Sequence, residues 1–161
     1  MQEHDLPRFY RRFVMTHAEP IFIDVFRPIP CPSLRHFIRY FDPGQRPLWT
    51  LGPADSPSAY FALHHIQREH GLANLDFAFF TGCPAPGSVQ AGRFWQAVCS
   101  AAHQWGLTRL QSFVLAVSAE KIRLLESVGC RREGLLREHC FHDGRLHDLA
   151  VHGYLAGERD G

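Results

Sequence analysis

The spacing of apolar residues along the chain predicts an alternation of strands and helices. Within residues 72–80, Leu75, Phe77 and Phe79 alternate with the smaller or polar residues Asn74, Asp76 and Ala78, which is the period of a strand with one buried face. Further along, Phe94, Val98 and Trp105 recur at the spacing of one helix face, and Gly106 then ends the pattern. The spacing of apolar residues therefore changes from that of a strand to that of a helix, as it does along α/β domains.

The same patterns predict a continuous series of elements. They are a helix over 34–41, strands over 47–51, 60–66 and 72–80, a helix ending near 105, a strand over 109–117, a helix over 119–128, and strands over 135–141 and 146–155. Asp143-Gly144 marks a hairpin between the last two strands. Residues 12–26 predict a strand and a turn, followed by a segment of ambiguous type. The order favours one α/β domain over 1–161 with a mixed sheet.

Composition limits the possible partners. The 161 residues are 45% hydrophobic and carry a net charge of +1, so we expect one core and no field that attracts nucleic acid or an anionic membrane. No apolar run approaches the ~20 residues of a membrane span. Residues 1–5 lack the basic and apolar regions of a leader. We therefore expect a cytoplasmic protein with no nucleic-acid or membrane partner.

The cysteines and histidines do not predict a metal site. The five cysteines are scattered without a Cys-x-x-Cys pair, which favours buried free thiols. In the last hairpin, His139 and His147 are expected to be cross-strand neighbours, with Cys140 and His142 projecting to the other side from His139. Because these side chains would not converge, we expect no bound metal.

Four short motifs in the second half of the chain resemble one family. They are Gly106–Leu110 (GLTRL), Ile122–Cys130 (IRLLESVGC), Glu133–Arg137 (EGLLR) and Asp143–Asp148 (DGRLHD). In this order they resemble the GNAT acetyltransferases, especially those that acetylate the N-termini of ribosomal proteins. The resemblance implies a mixed, mostly antiparallel sheet of six to seven strands flanked by helices. It also implies acetyl-CoA as cosubstrate and a primary amine of a protein N-terminus or small molecule as acceptor, in a monomer or homodimer.

The resemblance also implies a coenzyme site at a turn that leads into a helix. Main-chain amides of such a turn, with the positive end of the helix dipole, bind anions. The family motif Arg/Gln-x-x-Gly-x-Gly/Ala corresponds here to residues 85–90 (APGSVQ), in which its three characteristic positions are replaced. The implied coenzyme-binding residues are Phe79, Phe80, Gly82, Gly87, Ser88, Val89, Gln90, Ala91, Gly92, Ser118 and Lys121. The alternative is a plain glycine and proline loop before a helix.

Ser118 stands where the family has an asparagine that binds the pantetheine arm, although a serine there also fits a simple N-cap of Lys121. Lys121 and Leu125 replace the family's serine and tyrosine, which protonate the leaving thiolate. Those replacements favour an alternative function, in which a catalytically weak or inactive GNAT module binds a partner or an acyl-CoA.

The candidate base lies on the second and third predicted strands. Asp76 stands in mid-strand, and His64 and His65 face opposite sides of the neighbouring strand, so only one of the two can face a substrate. An imidazole or a carboxylate can accept a proton from an amine, and we predict Asp76 and His64 as the catalytic residues. The alternative is a solvent-facing aspartate beside a core histidine.

Overall fold

A computed structural model describes residues 44–53, 55–142 and 144–158, together with positions 7, 10, 11, 33, 35, 37, 39 and 41. Its strands are β1 (Leu48–Leu51), β2 (Ala59–Gln67), β3 (Leu72–Phe79), β4 (Arg109–Leu115), β5 (Arg131–His142) and β6 (Arg145–Leu155). Its helices are α1 (Val89–Gln104) and α2 (Ala119–Ser127), with a 3₁₀ turn over Arg68–His70. The strand and turn predicted over 12–26 lie outside the described residues. The helix predicted over 34–41 is helical at its described positions 35, 37 and 39.

The six strands form one sheet in the order β1-β2-β3-β4-β6-β5. The pairs β1–β2, β4–β6 and β5–β6 are antiparallel, whereas β3 and β4 run parallel, pairing Leu72–Asn74 with Arg109–Gln111. This arrangement confirms the predicted mixed, mostly antiparallel sheet. Within the described part of the chain, neither helix is long and apolar enough to cross a bilayer.

The chain divides into two compact units. The first comprises Met1–His64 and Asp76–Gly82, and the second comprises His65–Leu75 and Cys83–Gly161. The prediction of a single domain over 1–161 stays a prediction.

Aromatic side chains fill the core of the first unit. Phe37 and Tyr60 are fully buried, and Phe61 stacks on Trp49 with ring centroids 5.0 Å apart. A hydrogen bond joins the start of β2 to the end of β3: the Phe80 amide donates to the Ser58 carbonyl at 2.8 Å. These contacts fix the strands that carry His64 and Asp76.

The second unit packs helices α1 and α2 with β4, β5 and β6. Trp95 of α1 is fully buried and meets the ring of Tyr154 on β6 edge to face at 5.0 Å. Leu124 and Leu125 of α2 are also buried. Burial of these large side chains stabilises the two helices whose N-termini carry the predicted coenzyme residues.

The register of the last hairpin corrects one prediction. Cys140, not His139, lies opposite His147, and the pairing shifts between Leu136 and Cys140. A bulge causes the shift: Glu138 takes a φ of 50° and its amide donates to Asp148 Oδ1 at 2.8 Å. His139 is exposed whereas Cys140 and His147 are buried. The predicted His139–His147 neighbourhood is therefore wrong, because the turn pairs His142 with Arg145 and this register, continued without a break, places Cys140 opposite His147.

Candidate functional site

The loop before α1 contains a tight turn. The Ser88 amide donates to the Ala85 carbonyl at 3.1 Å, which closes a four-residue turn through Pro86 and Gly87. Gly87 has a φ of 73°, a conformation that glycine adopts without steric cost. Proline at the second position and a positive φ at the third are typical of a type II turn. The sequence APGS thus positions the chain for the start of the helix.

Ser88 then caps α1. Its backbone is extended, with φ −70° and ψ 156°, and its hydroxyl accepts a hydrogen bond from the Ala91 amide at 3.2 Å. The Gly92 amide donates to the Ser88 carbonyl at 3.0 Å as the first regular helical bond. The amides of Ser88, Ala91 and Gly92 are therefore used within the protein.

Three other amides of the turn make no hydrogen bond with the described residues: those of Gly87, Val89 and Gln90. All three residues are exposed. The first turn of α1 carries no acidic side chain that would offset the positive end of the helix dipole. These donors can therefore bind an anion.

Two further features support close approach of a ligand to this turn. Gly92 is exposed, and a Cβ added to it would meet no atom within 4 Å, so the surface beside the turn is open. Behind the turn, Ala91, Phe94 and Trp95 are buried and anchor the helix. The donors consequently sit on a fixed support, which lowers the entropy cost of ligand binding.

Ser118 occupies the N-cap position of α2 but does not cap it. Its side chain makes no capping bond, although its amide donates to the Leu115 carbonyl at 2.8 Å. The predicted cap of Lys121 is therefore wrong. Ser118 has a ψ of 66°, whereas Ser88, which does cap, has the extended ψ of 156° that directs a hydroxyl to the third amide. The Ser118 hydroxyl is thus left for other partners.

The resemblance places a thiolate-protonating group at the positions of Lys121 and Leu125, and these two residues differ in polarity. Lys121 is 8% exposed and lies on the buried face of α2. Leu125 is fully buried and has no polar atom. Of the two positions, only Lys121 therefore has a polar group that could carry a proton.

His64 and Asp76 lie together in the first unit. His64 Nε2 is 3.0 Å from Asp76 Oδ2, and the two side chains are 6% and 14% exposed. The distance is that of an ion pair, although the ring N–H is not aligned for a regular hydrogen bond. His65 is exposed and has a φ of 47°, so of the two histidines only His64 points inward.

Tyr60 is a neighbour that sequence reasoning missed. Burial raises the pKa of its phenol well above the usual value, and the negative charge of Asp76 raises it further. Tyr60 therefore stays neutral, and its ring lies 5.8 Å from that of Phe80. The signal was present in the sequence, since Tyr60 and His64 are four residues apart on one strand and such positions share a face.

Three predicted coenzyme residues belong to the first unit, as His64 and Asp76 do: Phe79, which ends β3, and Phe80 and Gly82, which follow it. Both phenylalanines are half-buried and Gly82 is exposed. The turn over 87–92, Ser118 and Lys121 belong to the second unit. Among the residues that the structure describes, no group of three histidine, cysteine or acidic side chains is placed to hold a metal ion.

No protein-family profile and no curated protein sequence matches this chain. Solved structures match it along nearly its whole length. A putative phosphinothricin N-acetyltransferase has a TM-score of 0.74 at 17% identity, covering 98% of this chain and 96% of that chain. RimL, a ribosomal-protein α-N-acetyltransferase in complex with coenzyme A, has a TM-score of 0.73 at 9% identity, covering 96% and 90%.

A dodecameric spermidine N-acetyltransferase from Vibrio cholerae has a TM-score of 0.72 at 16% identity, covering 97% of this chain and 91% of that chain. The three proteins share the GNAT acetyltransferase fold. The chain described here has this fold, as its four motifs predicted.

Proposed function

We propose that this protein is an acetyl-CoA-dependent N-acetyltransferase that acetylates a primary amine of a protein N-terminus or a small molecule. One observation carries the proposal: in a chain with the GNAT fold, the amides of Gly87, Val89 and Gln90, at the turn into α1, make no hydrogen bond with the residues that the structure describes. A diphosphate supplies the negative charge and the acceptor oxygens that such a turn binds.

The proposed coenzyme site uses main-chain donors rather than the replaced motif side chains. Gly87 gives its turn the required positive φ, and Ser88 fixes the start of the helix without using the Val89 and Gln90 amides. Gly92 leaves room for phosphate oxygens. The Ser118 hydroxyl, which is not used in capping, is available to bind the pantetheine arm.

Bound acetyl-CoA would supply the acetyl thioester. The acceptor amine, which arrives mainly as an ammonium ion, must lose a proton before its nitrogen can bond to the acetyl carbon. We assign that proton to the pair of His64 and Asp76, whose polar atoms lie 3.0 Å apart in a largely buried setting. Neutral Tyr60 borders this pair and keeps an apolar ring against Phe80.

The leaving thiolate needs no dedicated acid. A thiol has an ordinary pKa of about 8.5, so a thiolate is an adequate leaving group near neutral pH and takes its proton from water. Replacement of the usual acids by Lys121 and Leu125 is consistent with this simpler chemistry.

A second function is favoured by the replaced motif at residues 85–90 and by the fully buried, apolar Leu125. In that case the protein binds an acyl-CoA or a partner with little turnover. Coenzyme binding alone does not separate the two functions. Release of coenzyme A thiol in the presence of an amine panel does separate them, because only the enzyme produces it.

A thermal-shift experiment tests the coenzyme site. A ligand at 100 times its Kd stabilises the native state by about 2.7 kcal/mol, which raises the Tm by roughly 5–10 °C for a chain of this size. We expect Gly87→Asp to abolish the shift, since its carboxylate would repel the phosphates.

Gly106→Asp is a matched control at the other end of α1. Gly106 has a φ of 67°, close to the 73° of Gly87, and an added Cβ meets no atom at either site. The control should keep the full shift. Equal shifts in the two variants would show that coenzyme A does not bind at this turn.

A further inference from the structure

Three large apolar side chains are exposed around the tip of the β5–β6 hairpin. Phe141 and Leu146 lie directly opposite each other and are 60% and 52% exposed. Val117, in the turn after β4, is 65% exposed. The Ala116 amide donates to the Asp148 carbonyl at 2.9 Å, so this turn begins beside β6, two residues from Leu146. We call Val117, Phe141 and Leu146 the hairpin patch.

The hairpin patch adjoins a residue of the proposed coenzyme site. Val117 immediately precedes Ser118, whose hydroxyl makes no capping bond at the start of α2. Side chains that surround the end of the pantetheine arm would also meet the acceptor, because acceptor and thioester must come together for transfer. The apolar character of the patch therefore bears on the choice of acceptor.

We propose that the hairpin patch binds an apolar group of the acceptor, so that the preferred acceptors are amines or peptide N-termini with a bulky aliphatic or aromatic side chain. This inference rests on the proposed acetyltransferase function. Burial of Phe141 and Leu146 against such a group removes apolar surface from water.

The charges of the hairpin argue against a polyamine. Between Arg137 and Asp148 the sequence has two arginines and three carboxylates, so this segment carries a net charge of only −1. Asp148 already accepts a hydrogen bond from the Glu138 amide, and Arg145 is exposed next to Leu146. A polycation would find one net negative charge here, whereas an apolar side chain would find a complementary surface.

The size of the hairpin patch argues against a second copy of the chain as its main occupant. A standard protein interface uses about 20–30 residues on each side. Three side chains fall far below that number but suffice to hold one side chain of an acceptor.

The test compares steady-state kinetics of acetylation for matched acceptors. These are glycinamide, leucinamide, phenylalaninamide and spermidine, assayed with the wild type, Phe141→Ala and Leu146→Ala. We expect wild-type kcat/KM to be at least ~10-fold higher for leucinamide and phenylalaninamide than for glycinamide or spermidine. Each variant should lose about 10-fold with the two bulky amides and keep its rate with glycinamide.

Leu155→Ala is the control, because Leu155 is an exposed leucine at the other end of β6. It should leave all four rates unchanged. A wild type that acetylates spermidine or glycinamide as well as phenylalaninamide would overturn the inference while leaving the acetyltransferase function standing. Absence of acetylation of every amine, or of any coenzyme-induced Tm shift, would instead count against the proposed function.

Light scattering over a range of protein concentrations tests whether a second copy of the chain occupies the hairpin patch. A concentration-dependent dimer that Phe141→Ala and Leu146→Ala both abolish would also overturn the inference. A molar mass that is the same for the wild type and both variants supports the inference.

Discussion

The pair of His64 and Asp76 gives a prediction whose size follows from its burial. In His64→Asn the shorter side chain cannot reach Asp76, whose carboxylate stays only 14% exposed without its partner. Leaving a partly buried charged group without its close polar partner costs about 1–3 kcal/mol, and breaking a fully buried ion pair costs more. Because Asp76 keeps some access to water, we expect a loss of ~2 kcal/mol.

The matching variant is His65→Asn. His65 adjoins His64 in sequence but is exposed, and its φ of 47° is a conformation that asparagine tolerates well. We expect its effect on the free energy of unfolding to stay within about 0.5 kcal/mol. The same chemical change at neighbouring positions should therefore give very different results.

Thermal unfolding and acetylation rates measure the two effects separately. A loss of ~2 kcal/mol corresponds to a Tm lower by about 4–8 °C for His64→Asn. If the pair also accepts the acceptor's proton, kcat/KM should fall by about 100-fold or more, measured well below the Tm of the variant. Equal Tm values for the two variants would refute the stabilising contact. An unchanged rate in His64→Asn would refute its role as the base.

Three further predictions concern the second unit. A Cβ at position 153 would overlap the Glu133 carboxylate, so Gly153→Ala should lower the Tm by a few degrees, and less in a Glu133→Ala background, as a double-mutant cycle would show. Burial lowers the pKa of His152 below 6.5, so the unfolded chain binds its proton more readily. Stability should fall as the pH drops below about 6.5, and urea midpoints should show a weaker fall in His152→Gln. Burial and the charge of Cys99 raise the pKa of Cys130 to about 12, so mass spectrometry after brief iodoacetamide treatment at pH 8 should find Cys130 unmodified in the native protein.

The element order was readable from the sequence because each element has a strong local signal. The strand predicted over 72–80 is observed at Leu72–Phe79, and the helix predicted to end near 105 ends at Gln104. Glycine or proline bounds these segments, and such residues limit an element whatever packs against it. The hairpin at Asp143-Gly144 was predicted for the same reason.

The shift in register between Leu136 and Cys140 was not readable, because it depends on a tertiary contact. The bulge at Glu138 is held by Asp148 on the opposite strand, and no local pattern in β5 indicates it. The absent cap at Ser118 has a similar origin. Sequence identifies a residue able to cap, but the backbone angle that decides whether it does so is set by the preceding turn.

The candidate site was predicted only in part. The alternation of side chains along a strand showed that one of His64 and His65 faces inward, but the 3.0 Å approach of His64 to Asp76 needs the pairing of two strands. Likewise, the family resemblance implied an anion-binding turn at residues 85–90. Which of its amides are already used became clear only from the Ser88 hydrogen bonds.

The central claim, that the turn before α1 binds a diphosphate through its amides, is tested most directly by nuclear magnetic resonance. In a titration of ¹⁵N-labelled protein with coenzyme A, the amide protons of Gly87, Val89 and Gln90 should move downfield as they form hydrogen bonds. Those of Ser88 and Ala91, which already donate within the protein, should move much less. Unchanged Gly87, Val89 and Gln90 resonances at saturating coenzyme A would contradict the claim.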